Sequence, residues 1–260
     1  MSLRPRLNTI LELIPENTTR LVDVGCDHGY LSREFLLQYH ASNALLIDVN
    51  EKPLAKAKSN LSDISDTRLE FSLSSGLNDW NNKPGDCIVI AGIGGKEILS
   101  IFADFLEINS KRMSENKNES TYIIIQAMRN QENVRQFFRE NNLPMLAQSL
   151  VKDGRFTYSV DLYRLDFCRI EEKAELKSTH EVDDYLGEVL LKYLEDDPIE
   201  ENFLSYSQDS NVYDYIVRQL NIIKSDLNRF AEEDLELRYS LIDMLETYKD
   251  RAKNRGKYDT

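Results

Sequence analysis

Five short runs of aliphatic and β-branched residues, joined by stretches with helical spacing, limit what this chain can fold into more than any other feature. The runs lie at 20–25, 44–48, 68–73, 86–91 and 121–126, and helical patterns occupy 30–40, 53–61, 96–106 and 131–141. Alternation of this kind predicts parallel strands joined by crossover helices. Leu21-Val22, Leu45-Leu46-Ile47, Ile88-Val89-Ile90 and Ile123-Ile124-Ile125 carry no polar alternation. Strands covered on both faces require that.

The stretch 109–120 is polar and aperiodic and reads as a surface loop. After residue 142 the period changes. Residues 145–151 and 156–165 read as a hairpin whose turn comes from Asp153-Gly154. Phe156, Tyr158, Val160, Leu162 and Leu165 mostly alternate, as in an antiparallel edge strand. From about residue 169 the pattern is helical, with a stripe of Tyr185, Leu186, Val189, Leu190, Tyr193 and Leu194. A heptad seam follows through Ile216, Leu220, Ile223, Leu227, Phe230, Leu237, Leu241, Met244 and Tyr248. A break near 232–234 gives two helices, and its absence gives one long helix. The expected division is 1–168 for an α/β domain and 169–260 for a helical one.

Charge separates these two parts. Residues 1–168 carry 19 Lys/Arg and 22 Asp/Glu, whereas 169–260 carry 13 and 23, within a net charge of −13. Such a field repels phosphate at long range, so any nucleic-acid contact must be local. The run Lys249, Arg251, Lys253, Arg255 and Lys257 reverses the sign, as suits a helix C-terminus. Cys26, Cys87 and Cys168 make no CxxC pair, and with only three His residues no metal site is expected. No apolar run reaches the roughly 18–20 residues of a membrane span, and the N-terminus lacks a signal-peptide core. A cytoplasmic protein is expected.

The candidate chemistry lies at strand ends. Asp23-Val24-Gly25-Cys26-Asp27-His28-Gly29 follows the first run. Glycine there permits a sharp turn and a close ligand approach, and the next helix points amides at the same place. A dinucleotide pyrophosphate calls for G-x-G-x-x-G. Here Asp27 stands where a third glycine commonly sits; its carboxylate repels pyrophosphate but suits the ammonium of an S-adenosylmethionine (SAM) methionine. Asp48, 23 residues past Gly25, ends the second run where an acid pairs with ribose hydroxyls, a reading that NAD and SAM share. Val49 follows it. Ser75 and Gly76 follow the third run and face the adenine. Ala91-Gly92-Ile93-Gly94-Gly95 leaves bare backbone after the fourth run, and Gln126 ends the fifth, facing the same crevice.

These motifs resemble the bacterial tRNA (adenine-22-N1)-methyltransferase family, class I enzymes with a C-terminal helical, coiled-coil-like domain. The resemblance rests on Arg6-Leu7, the segment 22–31, Asp48 with Pro53, Ser75-Gly76-Leu77, the segment 90–95, Gln126, Arg135 and Asp153-Gly154-Arg155-Phe156-Thr157-Tyr158. It departs from the family at Ser74-Ser75, where Gly-Asp is typical, and at Ala127-Met128, where Pro-Asn is typical. Asp48 replaces a glutamate.

The resemblance implies a Rossmann-like sheet of five parallel strands plus an antiparallel hairpin, SAM as cofactor and tRNA as partner. It implies methyl transfer to N1 of an adenine, with Asp27, His28 and Gln126 as catalytic candidates. Asp23, Gly25, Cys26, Asp27, Gly29, Asp48, Val49, Ser75, Gly76, Ala91 and Gly92 are the cofactor candidates. Asp23 is expected to anchor the loop backbone. The competing readings are a methyltransferase for another acceptor, a non-catalytic SAM- or RNA-binding relative, and an NAD oxidoreductase. No membrane partner is expected, and the chain is a monomer or weak homodimer.

Overall fold

The computed structural model describes residues 3–113, 121–141, 143–165, 181–194, 209–226 and 232–255. The strands are β1 (Arg20–Val24), β2 (Asn43–Asp48), β3 (Leu69–Leu73), β4 (Asp86–Ile93), β5 (Thr121–Ala127), β6 (Met145–Asp153) and β7 (Phe156–Leu165). The helices are α1 (Pro5–Leu13), α2 (Tyr30–Gln38), α3 (Glu51–Asn60), α4 (Gly95–Met113), α5 (Gln131–Glu140), α6 (Val182–Leu186), α7 (Glu188–Leu194), α8 (Asp209–Asp226) and α9 (Glu232–Arg255). One seven-stranded sheet runs β3-β2-β1-β4-β5-β7-β6. β1 to β5 are parallel, and β7 pairs antiparallel with both β5 and β6.

The unbroken apolar runs have a direct cause. Leu21, Leu46, Val89 and Ile124 bury against Ile10, Phe35, Leu36, Ala57 and Leu61 of the α1–α3 side. Their neighbours Val22, Ile47, Ile90 and Ile125 bury against Ile98, Phe102, Val134 and Phe138 of the α4–α5 side. Side chains alternate across a strand, so covering both faces demands apolar residues at every position.

Three expectations change. Residues 109–113 belong to α4, whose helix continues beyond residue 106 to Met113. β7 is no edge strand: it sits between β5 and β6, and its only exposed residues are Phe156 and Arg164. The hairpin loop is Gly154-Arg155, because Asp153 still pairs with Phe156 in the ladder. Gly154 supplies the left-handed turn at φ +64.

The polar positions of β7 explain its burial. Asp161, fully buried, accepts from Arg135 Nε at 2.7 Å and Nη2 at 3.1 Å, and from Gln131 Nε2 at 2.6 Å. Arg135 also donates to the Tyr185 carbonyl at 2.7 Å, which Tyr215 Oη meets at 3.2 Å. Gln148 of β6 donates to the Leu186 carbonyl at 2.6 Å and accepts from the Leu190 amide at 2.9 Å. The helical part is thus bonded to the sheet as well as packed on it. Leu150 joins the third core, with Leu186, Leu190, Tyr215, Ile216, Leu220, Leu241 and Leu245.

α8 and α9 lie side by side, Lys224 of one pairing with Glu246 of the other at 2.6 Å, so they are not one long helix, and residues 232–234, where the break is expected, belong to α9. The boundary at 168/169, Cys168, Leu227, Phe230, Lys257 and residues 114–120 lie outside the described residues, as do the side chains of Tyr193 and Leu237. Among the described residues no helix is long and apolar enough to cross a membrane.

Candidate active site

The strand order reverses between β1 and β4, and open α/β sheets bind ligands in the crevice at the carboxyl ends of strands at such a point. A cleft of about 910 Å³ lies there. Its lining includes Asp23, Gly25, Cys26, Asp27, His28, Ala91 and Gly92, and on the other wall Arg4, Arg6 and Leu7 from α1 and the residues before it.

Local sequence builds this cleft. Gly25 and Gly92 adopt φ +74 and +80, and a Cβ on either would meet no atom within 4 Å. Both leave backbone exposed toward open space. Gly29 and Gly76 differ. A Cβ on Gly29 would press on Leu61 at 3.0 Å and on Ala57 and Leu46 at 3.1 Å, and one on Gly76 would meet Ile101 at 2.7 Å. The Cβ positions of those two glycines face packed side chains, whereas those of Gly25 and Gly92 face open space.

Asp27 takes the place of the missing glycine in a left-handed conformation, φ +49. Non-glycine residues hold that conformation only at a cost of about 1–2 kcal/mol, and the site retains it by fastening the Asp27 N–H to Asp48 Oδ2 at 3.2 Å. The other Asp48 oxygen accepts from the Asn50 N–H at 2.8 Å. The Asp27 side chain is 70% exposed, with Oδ1 2.7 Å from His28 Nδ1. The His28 ring stacks parallel to Tyr30 at 5.7 Å.

Asp23 is buried and accepts from Ser32 Oγ at 2.6 Å. The Ser32 backbone amide also stabilises its charge. Asp23 therefore anchors the first turn of α2, not the loop backbone. Burial, with Asp48 and Asp27 adding repulsion, pushes its carboxyl up to about 6. Burial likewise pushes the Cys26 thiol well above its usual range, which makes it a wall residue and no nucleophile.

A family model described as "Methyltransferase domain" matches residues 3–160. The chain belongs to this methyltransferase family. A Mycoplasma pneumoniae protein, whose name assigns it provisionally to tRNA methyl transfer, is 26% identical over 227 residues, 85% of this chain and 100% of that one. The tRNA (adenine(22)-N(1))-methyltransferase of Bacillus subtilis is 24% identical over 161 residues, 62% of this chain and 64% of its own. The structure of M. capricolum TrmK with S-adenosyl-homocysteine superposes with a TM-score of 0.59 at 18% identity, covering 97% of this chain and 99% of that one.

Within the methyltransferase domain the expected residues do not all converge. Asp23, Gly25, Cys26, Asp27, His28, Ala91 and Gly92 line the cleft together. Asp48 stands behind it, holding the Asp27 and Asn50 amides. Val49, 68% exposed, and Ser75, also exposed, lie at the carboxyl ends of β2 and β3 outside the lining. Gln126 is fully buried: its oxygen accepts from Arg6 Nη1 at 2.8 Å and its amide donates to the Ala127 carbonyl at 2.9 Å. It reaches the cleft only through Arg6.

Arg6 is a cleft-lining residue that spacing alone missed, since its partners are more than a hundred positions away. It donates to Asp153 at 2.7 Å, contacts Met128 Sδ at 2.9 Å, and lies 5.1 Å above the Tyr158 ring. Met128, the departure from the usual Pro-Asn, is thus a wall piece under Arg6. The one sequence signal for Arg6 was its presence in the resembling motif.

Proposed function

We propose that this methyltransferase transfers the methyl group of SAM to N1 of an adenine in tRNA. The observation that carries the reading is the pair Gly25 and Gly92, which bares backbone on both sides of the cleft while Asp27 and Asp23 place carboxylates beside it. Such a cradle takes a ligand with a cationic end and a flat body, and its carboxylates repel pyrophosphate. SAM, when bound, supplies an electrophilic methyl on a positively charged sulfur.

The chain's own residues do the rest. Asp27 and Asp23 hold the methionine ammonium, and Asp48 and Val49 bracket the ribose and adenine side, with Ser75 and Gly76 closing the edge. Asp27 with His28 orients the acceptor's exocyclic amino group. Arg6, fixed by Gln126, closes the far wall. Adenine N1 attacks with its own lone pair, so no base must remove a proton before transfer. Alignment is the main contribution of the protein, worth up to several kcal/mol. The acceptor must be unstacked to enter.

The proposed arrangement is a catalytic domain, 1–168, with a helical domain, 169–260, acting in the cytoplasm as a monomer or weak homodimer. The test is methylation of unmodified tRNA by the purified chain with labelled SAM, with N1-methyladenosine read by mass spectrometry. The expected product disappears in Asp27→Asn, which keeps side-chain size and tolerates the left-handed backbone. SAM binding with no methylated adenine in any tRNA overturns the proposal.

A further inference from the structure

The tip of the β6–β7 hairpin carries a feature that the cleft does not need. Phe156 is 42% exposed, a large ring left partly in water at the first position of β7. Two guanidinium groups flank it, Arg155 at 4.8 Å and Arg218 of α8 at 5.3 Å. Arg218 also lies 4.8 Å from the buried ring of Tyr158, which Arg6 covers at 5.1 Å. A line of alternating rings and cations therefore leads from the cleft wall outward: Arg6, Tyr158, Arg218, Phe156, Arg155.

The members differ in freedom. Arg218 is fixed by donating to the Thr157 carbonyl at 2.7 Å and the Met128 carbonyl at 3.0 Å. Arg6 is fixed by Gln126 and Asp153. Arg155 sits exposed on the two-residue turn, and among the described residues no carboxylate pairs with it. In a chain of net charge −13, an unpaired cation beside an exposed ring is a local reversal of the surface. Purely structural roles do not call for it: the fixed Arg218 already ties hairpin to helix without Phe156 or Arg155.

We propose that Phe156 and Arg155, steadied by Arg218, bind a nucleotide of the substrate RNA next to the target adenine, Phe156 stacking its base and Arg155 meeting its phosphate. Every base has a π face and every nucleotide a phosphate, so the surface holds unpaired RNA without reading its sequence. The proposal rests on the tRNA reading above and adds where the flanking strand lies: across the hairpin tip, one ring away from the cleft wall.

The experiment uses the full chain, fluorescent tRNA in anisotropy titrations, SAM calorimetry and steady-state methylation. Phe156→Ala weakens tRNA binding about 5- to 100-fold and raises KM for tRNA in parallel, with SAM affinity unchanged; Phe156→Trp restores it. Arg155→Ala lowers the slope of log K against log salt by about 0.7–0.9, and Arg155→Lys restores the slope. Matching urea midpoints for all variants exclude a folding defect. A parent that methylates tRNA while Phe156→Ala and Arg155→Ala bind and turn over like it overturns this surface. A parent that binds tRNA in a Phe156-dependent way yet transfers no methyl overturns the function and supports the surface. Binding of tRNA that an acidic peptide of matched charge competes away as well as unlabelled tRNA does overturns the assignment to RNA.

Discussion

The cleft between β1 and β4 and the seam between β7 and the helices lie in one sheet, but they treat polar groups in opposite ways. At the seam, Asp161 is fully buried and three donor atoms from Arg135 and Gln131 meet it. In the cleft, Asp23 is buried beside two like charges, Asp27 holds a strained backbone, and two glycines face open space. One region meets its buried charge with donors of its own, and the other keeps like charges together beside bare backbone. A site built for a cation keeps acids close together, because the ligand relieves the repulsion when it binds.

The contrast breaks most visibly at the seam. Arg135→Met leaves Asp161 charged and unpaired, and stability in urea unfolding is expected to fall by about 3–5 kcal/mol. A loss under 1 kcal/mol would mean that the seam is held by apolar packing alone.

Asp23→Asn tests the cleft in the other direction. Burial favours the protonated form of Asp23 in the folded chain, up to about 6. Its favourable contribution is therefore complete below pH 4 and lost as pH rises through 6. The asparagine variant, without this loss, should exceed the parent at pH 7.5 by up to roughly 3 kcal/mol while binding SAM more weakly. A stability difference that stays flat from pH 4 to 8 removes the electrostatic half of the comparison.

The glycines sharpen it further. Gly92→Val should reduce SAM affinity tenfold or more, about 1.4 kcal/mol, in calorimetry. Gly76→Ala should instead lower the unfolding midpoint, because its Cβ meets Ile101. Equal effects of both on SAM affinity would erase the distinction between ligand-facing and packing glycines. The smallest change in stability expected is from Asp27→Gly, which releases the left-handed strain and raises stability by up to about 1 kcal/mol while, like Asp27→Asn, abolishing methyl transfer.

What the sequence made legible follows the same division. Local signals located the β1 loop, the Ala91-Gly92 turn and the parallel strands, since each depends on neighbours in the chain. The glycine pattern did not tell Gly25 from Gly29, because the distinction lies in what β2, α3 and the residue after α3 bring against a Cβ. Gln126 carries no mark of burial by itself; Arg6, 120 residues earlier, decides it. The alternation along β7 reads as an edge strand because the partners that bury Ser159 and Asp161 come from α5 and β6, outside the strand's own sequence.

The insertion of β7 between β5 and β6 has a consequence for synthesis. β6 leaves the ribosome before the strand that joins it to the sheet, so Ile123-Ile124-Ile125 of β5 remains an open apolar edge until residue 165 has emerged. At roughly 5–20 residues per second this interval lasts on the order of seconds. During it the nascent chain presents the kind of edge that pairs with other chains. The strand order that seals the mature sheet thus makes its last twenty or so residues the period when the growing chain most needs protection.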